Sequence, residues 1–349
     1  MELLTLDRNF QLVGTSQLPY INLQWNRKYF HCGDFSVQIV VDDYDENMRY
    51  IYSHSRPEVG MIQKVEYTTT LTGSFVQMSG FFLEGILDFK AVFPQYIGTG
   101  NIEVIARDMF TKYKEDLNVQ LGDIQGLGDS IDINDSSELT SEYLGEHLYS
   151  ILRTQELSYR LRYDFMSGNM YFEVWQGIDR TQEQNTNNPV TFAEGLGTME
   201  NPAVIYDDSN WRNYAVVIGT DANDTVVTVN IDRANGDIKR ILLVDESGNK
   251  RDPNEQTLNQ YRQSMALKGE EALWGHTKII NVEFDPIDES FFYLDDYDLG
   301  DKCDIVIQNL GMSYQSRIIE IYEVIKENMS IHTLVFGEKI PTLYEKVRT

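Results

Sequence analysis

Hydrophobic and polar residues alternate through much of the first 95 residues, a pattern typical of half-buried β-strands. Phe35, Val37 and Ile39 show this alternation most clearly, and the Gly33-Asp34 pair before them indicates a turn. Similar runs cover residues 2–6, 20–24, 49–52, 60–67 and 75–78. Thr72-Gly73 predicts a hairpin turn between the last two runs. Strands at a spacing of roughly 10 residues predict a small β-barrel or sandwich.

The period changes to a helical one near residue 98. Apolar residues recur at helical spacing over 102–113, and Asn101 is placed to cap the first turn. A second apolar stripe predicts a helix over about 137–153. Two alternating runs, 158–165 and 170–175, flank the turn residues Ser167-Gly168-Asn169 and predict a hairpin. This part of the chain is therefore expected to be an α+β module.

Strand patterns return in the last part of the chain. The polar, Asn/Gln-rich stretch 181–201 predicts a surface loop. Asn235-Gly236 predicts a hairpin between strands at 226–231 and 238–244. An apolar stripe predicts a helix over 255–273. Further strands are predicted at 278–284, 302–308, 317–325 and 330–336.

These patterns predict a mainly β fold with α+β insertions. The first β-barrel is assigned to residues 1–95 and the inserted α+β module to residues 96–190. The second β-barrel is assigned to residues 191–349, with a helical insertion near 253–275. The β-rich portions on either side of the central module suggest two related barrels.

The composition narrows the class of protein. The 349 residues include 29 Lys and Arg against 55 Asp and Glu, a formal charge of −26. So acidic a chain argues against binding nucleic acid through its phosphates and against a polybasic membrane anchor. No apolar run reaches about 18 residues, so we predict no membrane span, and the first residues predict no secretory signal. One disulfide between Cys32 and Cys303 is possible, but two thiols in a reducing cytoplasm are favoured.

No catalytic signature stands out in the sequence. The five histidines do not pair at metal-ligand spacing, and we expect surface or packing roles for them. Acidic runs occur at 42–46, 129–138 and 295–301, and we interpret all three as solvated loops. A carboxylate pair for glycoside hydrolysis remains open, because its spacing is spatial. Residues 177–181 are interpreted as a turn in which Asp179 and Arg180 hydrogen-bond locally.

Three tryptophans are candidates for contacts with other molecules. Trp25, followed by Arg27 and Lys28, could form a cation–π stack or a sugar platform. A core or interface tryptophan is favoured. Trp25, Trp175 and Trp211 are candidate interface anchors, and each could equally belong to a core.

Six segments stand in order along the chain. They are Q-W-N-R-K-Y-F-H-C-G-D-F-S-V-Q-I (24–39), R-P-E-V-G-M-I-Q-K-V (56–65), S-G-F-F-L-E-G-I-L (79–87), W-Q-G-I-D-R-T (175–181), D-Y-D-L-G-D-K-C-D-I-V (296–306) and R-I-I-E-I-Y-E-V (317–324), closing on V-F-G (335–337). Together they resemble tail-tip hub proteins of long-tailed bacteriophages. Related modules begin tail-associated lysins or tail-fibre proteins and share a fold with the baseplate hubs of contractile tails.

The resemblance implies a fold and an assembly. Each subunit would hold two tube-like β-barrels plus the helix-containing modules, and three subunits would form a homotrimeric ring. Six barrels in a three-fold ring can match both a six-fold tail tube and a three-fold tip. An acidic channel wall would repel phosphate and let DNA pass without binding. Many relatives continue into a lytic or fibrous part, and from the sequence up to Thr349 we expect none here.

The resemblance also implies function and partners. We expect a non-enzymatic hub at the distal tip of a phage or phage-like tail, with no cofactor and no metal. Its expected partners are further copies of itself, a distal tail protein or tail tube ring, the tape-measure protein, and a tip or receptor-binding protein. The expected location is the virion tail, after synthesis in the bacterial host cytoplasm. The alternatives are a cell-wall-degrading enzyme and a carbohydrate-binding β-protein.

Overall fold

A computed structural model describes residues 1–14, 17–133, 143–254, 256–287, 290–326 and 329–337. The strands are β1 Leu4–Leu6, β2 Asn22–Lys28, β3 Asp34–Val40, β4 Tyr50–Tyr52, β5 Val59–Thr70, β6 Gly73–Phe82, β7 Gly98–Asn101, β8 Gln120–Leu121, β9 Ser130–Ile133, β10 Ser158–Asp164, β11 Asn169–Trp175, β12 Thr191–Ala193, β13 Met199–Asp207, β14 Tyr214–Thr220, β15 Val226–Asp232, β16 Ile241–Lys250, β17 Ile279–Pro286, β18 Lys302–Ile307, β19 Met312–Lys326 and β20 Met329–Gly337. The α-helices are α1 Ile102–Tyr113, α2 Leu144–Arg153 and α3 Leu258–Trp274. Among the described residues, no helix is long and apolar enough to cross a membrane.

The chain forms two compact units. The first contains residues 1–203 and 282–337, and the second contains residues 204–281. Strands β13 and β17 each pass from one unit into the other.

A twelve-stranded sheet organises the first unit. Its main order is β1-β4-β5-β6-β3-β2-β19-β20-β17-β13, and β18 and β12 extend it beside β19. The pairing of β2 with β19 is antiparallel and places Arg27 opposite Ile321 and Trp25 opposite Glu323. Strands from the two ends of the chain therefore share one sheet. Among the described strands this sheet is open, so the mainly β prediction is confirmed without a closed barrel.

Alternation explains the core of this sheet. Leu23, Trp25, Phe35, Val37 and Ile39 are buried, while the residues between them in β3 are half-buried. The Trp25 ring lies 4.7 Å from the Phe82 ring and 5.8 Å from the Phe35 ring. Burying a large apolar side chain in this way stabilises the fold by about 1.5–3 kcal/mol. Trp25 is thus a core residue, which confirms the favoured interpretation.

The central module packs two helices against a small sheet of order β10-β11-β8. The Asn101 side chain accepts hydrogen bonds from the backbone N–H groups of Glu103 and Val104, so the predicted cap is confirmed. Phe110 of α1 stacks on Phe172 of β11 with ring centroids 4.2 Å apart. Helix α2 begins at Leu144, later than predicted, and residues 137–142 lie outside the described residues.

The second unit holds a three-stranded sheet of order β15-β14-β16 with α3 packed on it. The predicted hairpin at Asn235-Gly236 is wrong. Both residues have positive φ, as in a tight turn, but β15 pairs antiparallel with β14 on one side and β16 pairs parallel with it on the other. After the turn the chain therefore passes to the other side of β14, so that β14 lies between β15 and β16 and pairs with both. Helix α3 buries Tyr261, Met265 and Leu273 of the predicted stripe.

The stretch 181–201 is also more ordered than a surface loop. Strand β12 lies within it and pairs in parallel with β18, which buries Phe192 and Ala193. The apolar run Val190–Ala193 is too short to stand out among polar residues, but it finds a partner more than 100 residues later in the chain.

Candidate functional site at the junction of the sequence motifs

All six segments quoted above meet in one buried junction of the first unit. Tyr29 of the first segment is fully buried, and its hydroxyl donates to the carbonyl of Glu156 at 2.9 Å and accepts from the N–H of Gly177 at 3.3 Å. The Trp175 ring stands edge-on to the Tyr29 ring with centroids 4.8 Å apart. Burial raises the pKa of Tyr29 to about 12, so its hydroxyl keeps its proton at neutral pH.

Two glycines allow the segments 175–181 and 296–306 to touch. A Cβ on Gly177 would lie 2.0 Å from the carbonyl carbon of Gly300. Gly300 itself has φ +84°, and a Cβ there would lie 2.5 Å from the Tyr29 ring. Arg317 donates from Nη1 to the carbonyl oxygen of Gly300 at 2.8 Å and to that of Gly177 at 3.2 Å. Backbone contact this close requires residues without side chains.

Asp301 connects the same two segments. Its carboxylate accepts from the N–H of Ile178 at 2.7 Å, from Nε of Arg180 at 2.6 Å and from the N–H of Asp298 at 3.1 Å. Burial raises the pKa of Asp301, and the contact with Arg180 partly offsets that effect. The interpretation of residues 177–181 as a turn with local hydrogen bonds holds for Asp179 but not for Arg180. Asp179 bonds locally to Thr181, as expected, whereas Arg180 reaches Asp301 far along the chain.

A second polar cluster surrounds Arg27, which is 2% exposed. Its guanidinium donates to Glu58 at 2.7 Å, to Asp298 at 2.5 Å and to the Tyr293 hydroxyl at 2.9 Å. Burial alone would lower the pKa of Arg27, but its acidic neighbours outweigh burial and raise it. The Tyr293 hydroxyl donates to Glu323 at 3.0 Å, linking this cluster to β19.

Arg56 completes the cluster from the opposite side. It pairs with Glu323 through two hydrogen bonds, one of them 2.8 Å long, and its guanidinium lies 5.0 Å from the centre of the Tyr293 ring. His332 stacks on Tyr293 at 4.7 Å and lies 2.7 Å from the Tyr297 hydroxyl through Nε2. Breaking a buried pair of this kind costs about 3–5 kcal/mol, because one charge is left uncompensated. The cluster is suited to holding segments together.

A small cavity of about 50 Å³ lies beside this cluster and is lined in part by Glu58, Glu84 and Trp175. Burial raises the pKa of Glu84 to about 7, and Glu58 adds to that effect. Glu84 accepts from the N–H of Leu161, which joins the first segments to the central module. Asp88, four residues further on, has its pKa raised to about 6 by burial and by Glu146. The polar lining and the volume suit a few water molecules.

The structure places the other sequence candidates as follows. Trp175 lies in the junction, and Trp211 lies between Lys278 and Arg240, whose cations are 4.1 and 5.1 Å from its ring. Cys32 and Cys303 are free thiols. Within the described ranges, no group of three or more His, Cys, Asp or Glu side chains is placed to hold a metal ion.

The three acidic runs differ from one another. Residues 42–46 are mostly exposed, with Asp45 accepting from the N–H of Asn47, as expected for a solvated loop. Much of 129–138 lies outside the described residues. The interpretation of 295–301 as solvated was wrong for Asp301, which is buried and pairs with Arg180. Asp295 is exposed, and the Asp298 side chain is 40% exposed although it pairs with the buried Arg27. The buried Arg27 was missed, although it follows Leu23 and Trp25 on the inward-facing positions of β2.

One surface feature also stands out. Strands β5 and β6 form a long hairpin, and residues 63–70 of β5 are exposed and pair with β6 on one side. Strand β4 covers the other edge of β5 over Val59–Met61. The N–H of Ile62 donates to the carbonyl of Arg49 at 2.8 Å, and beyond Ile62 no described strand pairs with that edge. Tyr67 is 64% exposed and Leu71 at the hairpin tip is fully exposed.

The fold and the junction define a β-rich protein whose buried charged side chains pair with one another. Residues 2–338 match the family described as Siphovirus ReqiPepy6 Gp37-like protein. The chain belongs to this siphovirus tail protein family, and the predicted resemblance to phage tail proteins is confirmed. No curated protein matches the sequence.

Solved structures share the fold over nearly the whole chain. A tail protein from Neisseria meningitidis MC58 aligns with a TM-score of 0.57 and 13% identity over 97% of this chain and 96% of that one. The 43 kDa tail protein of prophage MuSo2 from Shewanella oneidensis gives 0.58 and 11%, over 96% and 98%. Prophage tail protein gp18 from Listeria monocytogenes EGD-e gives 0.54 and 10%, over 100% and 98%.

Proposed function

We propose that this protein is a structural, non-enzymatic hub at the distal tip of a phage or phage-like tail. The observation that carries the proposal is family membership over residues 2–338, together with a fold shared end to end with phage tail proteins. The buried junction supports it, because a hub must transmit load between its parts without deforming. In this role the protein resides in the virion tail after synthesis in the bacterial host cytoplasm.

The hub is a homotrimeric ring. Each subunit contributes two tube-like β-barrels, one within residues 1–95 and one within residues 191–349. The α+β module of residues 96–190 is inserted between them. The exposed edge of β5 supports the ring, since an unpaired strand edge is a template for a strand of another subunit. Three subunits with two barrels each join a six-fold tube to a three-fold tip.

The ring bounds part of the channel for DNA. A formal charge of −26 per subunit gives the wall a charge of the same sign as the DNA phosphates. DNA then passes without specific binding. The proposed partners are a distal tail protein or tail tube ring above, the tape-measure protein within, and a tip or receptor-binding protein below. A neutral or basic lumen in the assembled ring would contradict this account of the charge.

Electron microscopy of the purified full chain tests the proposal. The expected result is a three-fold ring with a pore of about 20 Å or more, wide enough for duplex DNA. A closed assembly of another symmetry, or a ring without a pore, would contradict it.

A matched pair of variants tests the proposed contact. Val65→Lys with Tyr67→Lys places two charges on the hairpin edge and is expected to leave subunits unassembled. Leu196→Lys with Leu310→Lys adds the same charge at exposed residues elsewhere and is expected to leave the ring intact. A ring that survives the first pair of substitutions would place the contact elsewhere.

A further inference from the structure

The outer face of the β10–β11 hairpin carries a groove that the hub proposal does not use. The opposite face of this hairpin packs Tyr159, Leu161 and Phe172 into the core of the central module. The groove has a volume of about 570 Å³ and lies between the outer face and the loop at 121–127. Its floor holds two arginines and two aromatic residues in a chain where acidic side chains outnumber basic ones by 55 to 29.

The two guanidiniums are held in fixed positions. Arg160 lies over the Trp175 ring at 5.3 Å, and Arg162 lies over the Tyr171 ring at 4.8 Å. Both bind the single carboxylate of Glu173, with Nε–O distances of 2.9 and 2.8 Å. An arginine that is already stacked and hydrogen-bonded loses little side-chain entropy when it binds a further carboxylate.

The arginines retain binding capacity. The contacts with Glu173 use Nε of both residues and Nη2 of Arg160, which leaves three further guanidinium nitrogens. The side chains are 35% and 38% exposed. Two carboxylates also line the groove: Glu173 is shared by both arginines, and Asp123 is exposed to solvent, where its charge is screened.

The distance between Arg160 and Arg162 along β10 favours one kind of ligand. Arg160 and Arg162 are two residues apart on one strand, so their Cα atoms are separated by about 6.6 Å along it. Carboxylates at alternate positions of an extended peptide have the same separation and lie on the same face of that peptide. Carboxylate–guanidinium pairs of this planar kind are among the strongest hydrogen-bonded contacts in proteins. The stacked guanidiniums occupy faces of both aromatic rings, which disfavours stacking of a sugar there.

We propose that this groove binds an extended acidic segment of a partner protein, with carboxylates at alternate positions seated on Arg160 and Arg162. The proposal rests on the proposed function in one respect, namely that the chain meets other tail proteins. Its test uses isolated protein and peptides, so it can fail while the ring stands, and it can succeed if no ring forms.

The experiment measures fluorescence anisotropy of short dye-labelled peptides added to the full-length protein. One peptide alternates Thr and Asp, a second has the same composition with the Asp residues in one block, and a third replaces Asp with Asn. The alternating peptide is expected to bind tightest, and the Asn peptide is expected not to bind. Equal binding of the alternating and blocked peptides, or no binding of either, would overturn the proposal.

Variants assign the binding to the groove. Arg160→Gln with Arg162→Gln keeps hydrogen-bond donors for Glu173. This pair of substitutions is expected to lower the affinity for the alternating peptide roughly tenfold or more. Arg8→Gln with Lys64→Gln removes the same charge outside the groove and is expected to leave affinity within about twofold. Equal losses in the two pairs would mean non-specific attraction and overturn the proposal. If the protein instead bound a neutral oligosaccharide, and the groove variant abolished that binding, the ligand of the groove would be a saccharide and the proposal of an acidic peptide would be overturned.

Discussion

Replacing Glu84 with glutamine is expected to change how the stability of the protein depends on pH. Glu84 is 6% exposed, and burial raises its pKa to about 7 from a model-peptide value of 4.5. An acid with a raised pKa in the folded state stabilises the fold when protonated. That contribution is present below the unfolded pKa and is lost as pH rises from about 4.5 to about 7.

The size of the effect follows from the two pKa values. A shift of one pKa unit corresponds to about 1.4 kcal/mol, so ionisation of Glu84 costs the folded state about 3 kcal/mol in total. Between pH 5 and pH 8 the loss amounts to about 2.5 kcal/mol. Glutamine does not ionise, and its oxygen can still accept from the N–H of Leu161. The free energy of unfolding of Glu84→Gln, relative to that of the unsubstituted protein, should therefore rise by about 2.5 kcal/mol from pH 5 to pH 8.

Urea denaturation followed by tryptophan fluorescence measures the difference at pH 5, 6, 7 and 8. Comparison of the two proteins at each pH cancels the contribution of Asp88, which titrates in the same range. Glu200→Gln at an exposed position is the matched control and should show a difference that is flat with pH. A difference between Glu84→Gln and the unsubstituted protein that stays within about 0.5 kcal/mol from pH 5 to pH 8 would refute the reasoning.

Three further substitutions test the junction and the helix cap by the same denaturation assay. Gly177→Ala should destabilise by about 1–3 kcal/mol, because its Cβ meets the backbone of Gly300, whereas Gly248→Ala, with open space around it, should change stability by less than about 0.5 kcal/mol. Asp301→Ala should cost about 3–5 kcal/mol, because it strands the Arg180 guanidinium, and a cost below about 1 kcal/mol would contradict the buried pair. Asn101→Ala should cost about 1 kcal/mol, because it removes the oxygen that caps α1, and an unchanged stability would argue against the cap.

Local patterns predicted most of the individual elements. Alternation located β3, and the capping asparagine located the start of α1, because each depends on residues close in sequence. The hairpin at Asn235-Gly236 failed for the opposite reason. The turn residues do adopt positive φ, but strand pairing beyond the turn is decided by β14, which no local rule considers.

The contacts of the junction could not be predicted from local patterns either, because they join residues that are far apart in the sequence. Arg27 pairs with Asp298, which lies 271 residues later in the sequence. Arg56 pairs with Glu323, which lies 267 residues later. A charged residue at an inward-facing strand position was the available indication, since Arg27 continues the buried series of Leu23 and Trp25. Its partners could not be chosen from sequence, because many acidic residues were equally eligible. The three-dimensional order of the sheet makes that choice.

The junction gives a physical reason why the six segments identify the family. Each contributes a group that another segment needs: Tyr29 requires the bare backbone of Gly300, Arg27 requires Glu58, and Arg180 requires Asp301. A change in one segment leaves a clash or an unpaired buried charge in another, so the set is expected to be retained together. These contacts tie the first strands, the central module and the last strands of the first unit to one another. In the proposed hub, which would conduct DNA and carry load, this rigidity matters more than an exposed reactive group.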